Sequence, residues 1–299
     1  MEPPLPPSSL PPPTPEKTVL VLSGGGSNGA VEMGFYKGIH EFGIHIDEII
    51  GTSVGAINGA MIACGLAPDE MIARWHAAKP TDYLRWNWWE LMTKGLRASS
   101  LYSPARMHRF LEHSIPARSF SELVIPFTAV ATDALTGDAF PISDGDLLGA
   151  VQASCAIPAV YPPVVFNGRQ LVDGGVAMQV PIDLAIDRGA TTTIVAMASC
   201  RSDRRKEVRG FLETWMRGFT LAVNRGALSA GHLGDYARRT RLILMEPCFT
   251  VPIAPRGMFD MTHTDILVKF AYEFAKAKLA QEGFPLPDIT RSADSAFGN

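Results

Sequence analysis

A serine bracketed by glycines is the first residue whose setting suggests chemistry. The stretch GTSVG follows the apolar run IDEII and matches the pattern G-x-S-x-G, with Gly51 and Gly55 on either side of Ser53. A serine on a sharp turn between a strand and a helix exposes its hydroxyl at the edge of a sheet, and the glycines leave room for the strained backbone. Ser53 is therefore a candidate nucleophile. The alternative is an ordinary turn with a helix-capping serine.

A glycine-rich turn lies one strand and one helix earlier. The stretch VLSGGGSNGA ends an apolar run and leads into residues with helical spacing. Its first, third and fourth glycines satisfy the dinucleotide pattern G-x-G-x-x-G, but the next strand does not end in the acidic residue that would hold a ribose. Bare backbone at a helix start also lets a negatively charged oxygen approach unpaired N–H groups. We therefore interpret Gly24, Gly25 and Gly26 as an oxyanion hole for acyl transfer at Ser53.

An aspartate before two glycines is the candidate base. The stretch LVDGG places Asp173 at the end of a predicted strand, where its carboxylate could reach the same edge of the sheet as Ser53. A carboxylate in that position could take the serine proton directly. Taken alone, an Asp-Gly-Gly stretch is also typical of a plain turn.

A histidine is the alternative to a carboxylate base. In conventional α/β-hydrolases the order along the chain is serine, acid and histidine. His232 and His263 follow Asp173 in that order, so they are the candidates for a conventional triad. The choice between dyad and triad stays open at this point.

Alternating strand and helix patterns provide the frame for these residues. This order predicts an α/β fold with layers around a mainly parallel sheet, in which a right-handed crossover brings the glycine turn and Ser53 to one edge. The predicted strands are TVLVLS, IDEII, IPFTAVAT, RQLVDGG, TTTIVAMAS and TRLILMEP. The predicted helices are NGAVEMGFYKGIHEF, the segment after GTSVG, and residues 207–233 and 264–281.

Composition predicts one large globular domain. The chain has 299 residues, of which 46% are hydrophobic, and a formal net charge of -3, which gives no general reason to bind nucleic acid. Residues 1–16 hold eight prolines, so we expect a disordered leader there and a single domain over residues 17–299. No apolar run is long enough to span a bilayer. The scattered cysteines Cys64, Cys155, Cys200 and Cys248 favour a soluble chain with reduced thiols.

Two surface features suggest contact with lipid. The stretch YLRWNWWELM clusters Trp86, Trp88 and Trp89, which could enter a lipid interface, cover an acyl site or pack in the core. The basic run RSDRRKEVR could meet anionic headgroups or form a solvated loop.

Five stretches, in order, resemble the patatin-like phospholipases: LSGGGSNGAVEMGFYKGI, GTSVGAINGAMIACG, ATDALTGDAFPIS, ASCAIPAVYPPV and LVDGGVAMQVPIDLAIDRGA. The resemblance covers about residues 18–200, with a helical C-terminal part beyond. It implies a three-layer α/β/α fold, Ser53 as nucleophile, Asp173 as base and Gly24 to Gly26 as oxyanion hole. It also implies supporting roles for a set of motif glycines: Gly29, Gly51, Gly55, Gly174 and Gly175.

One position departs from the family pattern. Asn28 stands where the family often carries Arg or Lys, so a preference for anionic headgroups is not implied. The resemblance implies no metal and no organic cofactor.

The residues and the resemblance together predict a serine lipid acyl hydrolase of the phospholipase A or lysophospholipase type. Its substrate would be a fatty-acyl ester of a phospholipid or lysophospholipid, with no nucleic-acid partner. We expect a cytoplasmic protein and leave peripheral membrane contact open. Two alternatives remain, namely a carboxylesterase with a histidine-containing triad and a lipid-binding protein of patatin fold with a silent site.

Overall fold

The computed structural model describes residues 16–198, 230–246 and 264–285, together with Cys200, Gly210, Thr214, Gly218, Leu221 and Cys248. Several sequence predictions lie outside these described residues. They are residues 1–15 of the proline-rich leader, the basic run within residues 201–209, His263, and most of the helix predicted over residues 207–233.

The central layer is an eight-stranded sheet. Its strands are β1 (Thr18–Leu22), β2 (Glu48–Thr52), β3 (Phe127–Asp133), β4 (Ala139–Ile142), β5 (Val164–Phe166), β6 (Arg169–Asp173), β7 (Thr192–Ala196) and β8 (Arg241–Met245). The six predicted strands correspond to β1, β2, β3, β6, β7 and β8, so these predictions are confirmed. Hydrogen-bonded pairing connects the strands in the sequence β5-β6-β3-β2-β1-β7-β8, and β4 also pairs with β3.

Helices cover both faces of this sheet. They are α1 (Ala30–Glu41), α2 (Val54–Ala63), α3 (Pro68–Ala77), α4 (Pro80–Tyr83), α5 (Trp88–Lys94), α6 (Pro104–Ser114), α7 (Leu147–Ser154), α8 (Ile182–Asp187), α9 (Ala230–Arg239) and α10 (Thr264–Gln281). Successive side chains of a strand point to opposite faces. Leu20 and Leu22 accordingly join the cluster that contains residues of α1, α2, α7 and α10, whereas Val19 and Val21 pack with residues of α8 and α9. The predicted three-layer α/β fold is confirmed.

The strand that carries Asp173, β6, is antiparallel to its neighbour β3. The pairs β1/β2, β2/β3, β1/β7 and β7/β8 are parallel, whereas β4 and β6 are antiparallel to β3 and β5 is antiparallel to β6. The reversal comes from the hairpin between β5 and β6, whose loop is Asn167 and Gly168 at φ 47° and 76°. An Asn-Gly pair with positive φ at both residues is the preferred two-residue hairpin turn.

The strands β2 and β6 occupy the same edge of β3, end to end. Val130 pairs with both β2 and β4, so these two strands lie on opposite edges of β3. Ala131 pairs with β4 and, through Asp173, with β6. Because β4 fills one edge at both residues, β6 must take the edge that β2 leaves at Thr52. The carboxyl ends of β2 and β6 therefore meet head to head.

The reduced-thiol prediction is wrong for two cysteines. Cys200 and Cys248 form a disulfide, although 48 residues separate them in the chain. They follow β7 and β8, which are parallel neighbours paired in register up to Ala196 and Met245. Parallel pairing brings the two strand ends together, and no local spacing in the sequence reveals this. Cys64 and Cys155 are free cysteines.

Glycines in α1 allow the C-terminal helix α10 to pack closely. A Cβ at Gly34 would collide with the Val268 carbonyl and lie 2.7 Å from the Ala271 Cβ, and one at Gly38 would lie 2.7 Å from the Ala275 Cβ. Since α1 begins directly after the glycine turn, this packing also fixes the helix that positions that turn.

We expect Gly34→Ala to lower the free energy of unfolding by about 1–3 kcal/mol, because the added methyl forces α1 and α10 apart. Gly234→Ala is the matched control, since a Cβ at that helical position meets no heavy atom within 4 Å among the described residues. It should leave stability unchanged or raise it by up to about 1 kcal/mol. Urea unfolding followed by circular dichroism measures both. Equal stability of the two variants would contradict the close packing.

Candidate active site

Ser53 has a strained backbone at the end of β2. Its φ and ψ are 55° and -122°, outside the regions that non-glycine residues prefer. Such a conformation costs of order 1–3 kcal/mol and persists only where the surroundings hold it. The helix α2 begins at the next residue, Val54. Ser53 therefore lies on a strand-to-helix turn of the kind that the motif predicts.

Hydrogen bonds from α7 and α2 hold this turn. Ser53 N–H donates to Ser154 Oγ at 2.9 Å, and Ser154 Oγ–H donates to the Val130 carbonyl at 2.5 Å. Cys155 Sγ–H donates to the Ser53 carbonyl at 3.1 Å, and Ala56 N–H donates to the same oxygen at 2.8 Å. Sequence reasoning assigned no role to Ser154 or Cys155. The only signal was their place in the block ASCAIPAVYPPV.

The Ser53 hydroxyl contacts Asp173 directly. Ser53 Oγ–H donates to Asp173 Oδ2 at 2.7 Å, and Gly175 N–H donates to Asp173 Oδ1 at 2.8 Å. Thr132 Oγ–H donates to the Asp173 carbonyl at 2.9 Å. Both carboxylate oxygens are thus positioned, and the carboxylate lies within reach of the serine proton. The structure brings together the two side chains that the sequence proposed as nucleophile and base.

Burial raises the pKa of Asp173. The residue is 2% exposed, and desolvation disfavours its ionised form. Desolvation outweighs the hydrogen bonds from Ser53 and Gly175, which favour the carboxylate, and raises the pKa from 3.8 to about 6. A carboxylate with this pKa is ionised near neutral pH and is a better proton acceptor than one in water.

The three glycines of the first turn have different roles. Gly24 N–H donates to the Gln179 carbonyl at 3.2 Å, and the Gly24 carbonyl accepts from Gln179 Nε2 at 2.7 Å. Gly24 is therefore an anchor of the turn. The N–H groups of Gly25 and Gly26, both half-buried, have no acceptor among the described residues. These two amides therefore differ from that of Gly24, which is already hydrogen-bonded.

The chain passes very close to itself at the other motif glycines. A Cβ at Gly55 would lie 2.5 Å from the Leu22 carbonyl oxygen, and one at Gly51 would collide with the Gly55 carbonyl. A Cβ at Gly174 would collide with the Val130 carbonyl, and one at Gly29 with the Val54 side chain. These glycines allow the ends of β1, β2, β3 and β6 to converge around Ser53.

A family model described as patatin-like phospholipase matches residues 20–186, which is more than half of the chain. The chain belongs to the patatin-like phospholipase family. The predicted family membership is confirmed, and the matched region contains Ser53, Asp173 and every motif glycine named above.

The curated relatives extend well beyond the region that aligns with this patatin-like chain. An uncharacterized NTE family protein of Mycobacterium tuberculosis is 34% identical over 167 residues, which cover 55% of this chain and 27% of that protein. Patatin-like phospholipase domain-containing protein 7 of Rattus norvegicus is 30% identical over 195 residues, which cover 62% of this chain and 14% of that protein. Among solved structures, VipD from Legionella pneumophila is similar in fold, with a TM-score of 0.53 and 14% identity. The match covers 89% of this chain and 67% of VipD.

Gln179 connects the two glycine turns of the patatin-like site. It is a buried residue whose side chain donates to the Gly24 carbonyl, as described above, and whose Oε1 would collide with a Cβ at Gly175. The turn next to Asp173 and the proposed oxyanion turn are thereby held at a fixed distance. Sequence reasoning did not identify Gln179, whose only signal is its place six residues after Asp173 in LVDGGVAMQ.

A buried polar cluster holds the far end of the first turn. Asn58 Nδ2 donates to the Gly29 carbonyl at 3.0 Å and to Glu32 Oε2 at 2.7 Å, and Trp75 Nε1–H donates to Asn58 Oδ1 at 2.9 Å. Complete burial raises the pKa of Glu32 well above its ordinary value. The cluster lies at the start of α1 and ties α1, α2 and α3 together beneath the turn.

No histidine among the described residues forms a hydrogen bond with Ser53 or Asp173. His232 is an exposed residue on α9, and its ring lies 6.3 Å from that of Tyr236. The triad alternative therefore receives no support from His232. His263 lies outside the described residues.

One group of three potential metal ligands occurs in the described part of the patatin-like chain. Cys200, Glu246 and Cys248 place their ligand atoms within 4.8 Å of one another. The two sulfur atoms are bonded to each other, so they are not thiolate ligands in this structure. No helix in the described ranges is both long enough and apolar enough to cross a membrane.

The raised pKa of Asp173 makes stability depend on pH. Its folded pKa, about 6, exceeds its ordinary value of 3.8, so the folded state binds this proton more tightly than the unfolded state. The resulting stabilisation is complete below about pH 4 and is lost as pH rises through about 6. Wild type should therefore lose up to about 3 kcal/mol relative to Asp173→Asn over this range.

Urea unfolding of both proteins at intervals between pH 4 and pH 7 tests this expectation. The difference between the two curves gives the contribution of Asp173 titration to the free energy of unfolding, because the two proteins share all other titrating groups. Parallel stability profiles across the range would show that Asp173 has an ordinary pKa.

Proposed function

We propose that this protein is a serine lipid acyl hydrolase that cleaves fatty-acyl esters of phospholipids or lysophospholipids. The observation that carries the proposal is the 2.7 Å hydrogen bond from Ser53 Oγ–H to Asp173 Oδ2 on a strained turn. A hydroxyl paired directly with a desolvated carboxylate is an arrangement that can activate a serine nucleophile, because the base lies next to the proton that it must accept. Membership of the patatin-like phospholipase family supports a lipid ester as the substrate.

In the proposed cycle Asp173 accepts the Ser53 proton as Oγ attacks the ester carbonyl. Protonation makes Asp173 neutral, which its buried site favours. The protonated carboxyl then donates this proton to the leaving alcohol, so the carboxylate is restored. In the second half Asp173 takes a proton from water as the water oxygen attacks the acyl-enzyme carbonyl. The bond between the acyl carbon and Ser53 Oγ then breaks, and Asp173 returns the proton to Ser53 Oγ, which releases the fatty acid and restores the free serine and the carboxylate.

The oxyanion of each tetrahedral intermediate would be bound by the N–H groups of Gly25 and Gly26. Both amides lack acceptors among the described residues, as noted above, whereas the Gly24 amide is engaged with Gln179. Donors that are already oriented need no reorganisation when the charge develops. Gly24 and Gln179 would then act by positioning the two donors.

The proposal extends to the organisation of the chain. We treat residues 17–299 as one patatin-like domain preceded by a proline-rich leader, and in the cycle above the nucleophile, the base and the oxyanion donors all come from this domain. A phospholipid substrate is presented in a membrane or micelle, so the proposed activity also includes peripheral membrane contact.

Substitutions at the four candidate residues separate a dyad from a triad. We expect Ser53→Ala and Asp173→Asn each to lower kcat/KM on a phospholipid by roughly 10³ or more, because nucleophile and base act as a unit. His232→Gln and His263→Gln should retain near-parental turnover. Product analysis by mass spectrometry over phospholipids, lysophospholipids and triacylglycerols measures activity and the ester preference together.

A fluorophosphonate probe provides an independent readout, since it should label Ser53 in the parental protein and in both histidine variants. Circular dichroism checks that each variant is folded. The dyad is contradicted if a folded histidine variant is as inactive as Ser53→Ala, or if Asp173→Asn keeps near-parental turnover.

The oxyanion role of Gly25 has its own test. A Cβ on Gly25 would collide with the Ala198 side chain, so Gly25→Ala should displace the turn and lower kcat by roughly 10²–10³. Ala198→Val, which presses on the same turn from behind, should lower kcat in the same direction. The control Gly234→Ala should leave kcat unchanged. A folded Gly25→Ala variant with parental turnover would exclude the proposed role of this turn.

A further inference from the structure

Four large apolar side chains are exposed together on and before α5. Trp86, Trp88, Trp89 and Met92, which we call the aromatic patch, are 44%, 60%, 81% and 74% exposed. The core-packing interpretation of the tryptophans is therefore wrong. Together with Leu84 and Arg85 they line one groove. A contiguous exposed apolar surface of this kind marks an interaction site.

Backbone hydrogen bonds and ring contacts attach the aromatic patch to the rest of the fold. Asn87 N–H donates to the Leu101 carbonyl at 2.9 Å, and Ser103 N–H donates to the Arg85 carbonyl at 2.8 Å. The Trp86 ring lies 4.9 Å from the Tyr102 ring and 5.7 Å from that of Trp88. The patch is thus attached to the fold along its inner side while Trp88 and Trp89 remain exposed.

The charged residue that lines the groove of the aromatic patch is an arginine. Arg85 lines the groove itself, and Arg97 lies on the turn after α5. Within the described ranges neither arginine forms an ion pair with a carboxylate. The nearby acid Glu90 is already engaged by Lys94 at 2.7 Å and by Ser99 at 2.9 Å. Arg85 therefore remains available beside the exposed tryptophans, and Arg97 follows α5 in the chain.

We propose that the aromatic patch docks on a lipid bilayer that carries anionic headgroups. Trp side chains favour the boundary between headgroups and acyl chains, and arginines at the same depth meet the lipid phosphates. A second copy of this chain is a poorer occupant. A symmetric dimer through this patch would bring Arg85 and Arg97 of both copies into one interface, with no added negative charge to balance them.

The aromatic patch is connected to the candidate active site. Leu101 N–H donates to the Ala159 carbonyl at 2.9 Å, and the Tyr102 ring lies 6.4 Å from that of Tyr161. The same loop contacts the candidate base, since Asp173 N–H donates to the Ala156 carbonyl at 2.9 Å. This inference deepens the proposed function, because docking here would hold the bilayer next to the loop that supports Ser53 and Asp173.

Vesicle co-sedimentation tests the docking surface without turnover. In the Ser53→Ala background, the protein should bind vesicles of phosphatidylcholine with phosphatidylglycerol more tightly than vesicles of phosphatidylcholine alone. Adding Trp88→Ala and Trp89→Ala should weaken binding to both by roughly 10- to 100-fold, because two large apolar side chains no longer enter the interface. Adding Arg85→Gln and Arg97→Gln should reduce the preference for the anionic vesicles, by about fivefold for each arginine.

Leu135→Ala is the matched control, since Leu135 is 82% exposed and lies outside the patch. It should bind as the background does. Unchanged vesicle binding in a folded tryptophan variant would overturn the proposal. It would also be overturned if the protein formed a concentration-dependent dimer and the tryptophan substitutions abolished that dimer without changing vesicle binding.

This outcome can be distinguished from failure of the proposed function. With Ser53 intact, the tryptophan variant should hydrolyse a soluble short-chain ester at the parental rate, whereas failure of the function would appear as parental ester turnover in Ser53→Ala.

Discussion

The meeting of two strand ends on one edge of β3 is the constraint from which the site follows. β2 ends at Thr52 and β6 ends at Asp173, and both must turn away at the same point because neither can continue along the edge. The first turns through Ser53 at φ 55° into α2, and the second passes the Val130 carbonyl at Gly174. The 2.7 Å contact between Ser53 and Asp173 is a direct result of this geometry.

The same geometry destabilises the folded state but makes Asp173 a stronger base for the Ser53 proton. The backbone strain at Ser53 costs of order 1–3 kcal/mol. The ionised, desolvated carboxylate of Asp173 adds a further unfavourable contribution at neutral pH, as its raised pKa shows. Hydrogen bonds to both residues and the two apolar clusters on either side of the sheet offset these contributions. A carboxylate hydrated by bulk water would stabilise the fold better but would be a weaker base for the serine proton.

Local patterns in the sequence predicted much of this architecture. An apolar run, a glycine turn and a helical period are contiguous in the chain, so β1 with α1 and β2 with α2 could be predicted from neighbouring residues. The pairing of Ser53 with Asp173 across 120 residues required in addition the rule that strand ends share an edge. That rule gave the correct juxtaposition although β6 runs antiparallel to β3, because the register places Asp173 opposite Ala131.

Long-range features could not be predicted in this way. Gln179 and Ser154 have neither a motif nor a characteristic spacing, and they act through long-range hydrogen bonds that exist only after the sheet has assembled. The disulfide of Cys200 with Cys248 likewise depends on the parallel pairing of β7 and β8. The β5–β6 hairpin is different, since its Asn167-Gly168 turn carries a local signal from which the reversal of β6 could have been inferred.

The motif glycines illustrate why the site could not be assigned fully from the sequence. Gly29, Gly51, Gly55 and Gly174 are required because a Cβ would collide with neighbouring chain, and Gly24 uses its own N–H to anchor the turn. Close packing and anion binding both require glycine. The sequence therefore does not distinguish a glycine that allows close packing from one that binds an anion, and only the three-dimensional structure separates them. In the described structure, the N–H groups of Gly25 and Gly26 have no acceptor among the described residues, and we propose them as the oxyanion donors. Most of the glycine pattern therefore builds the convergence of strands around Ser53, and a small part of it faces the proposed reaction.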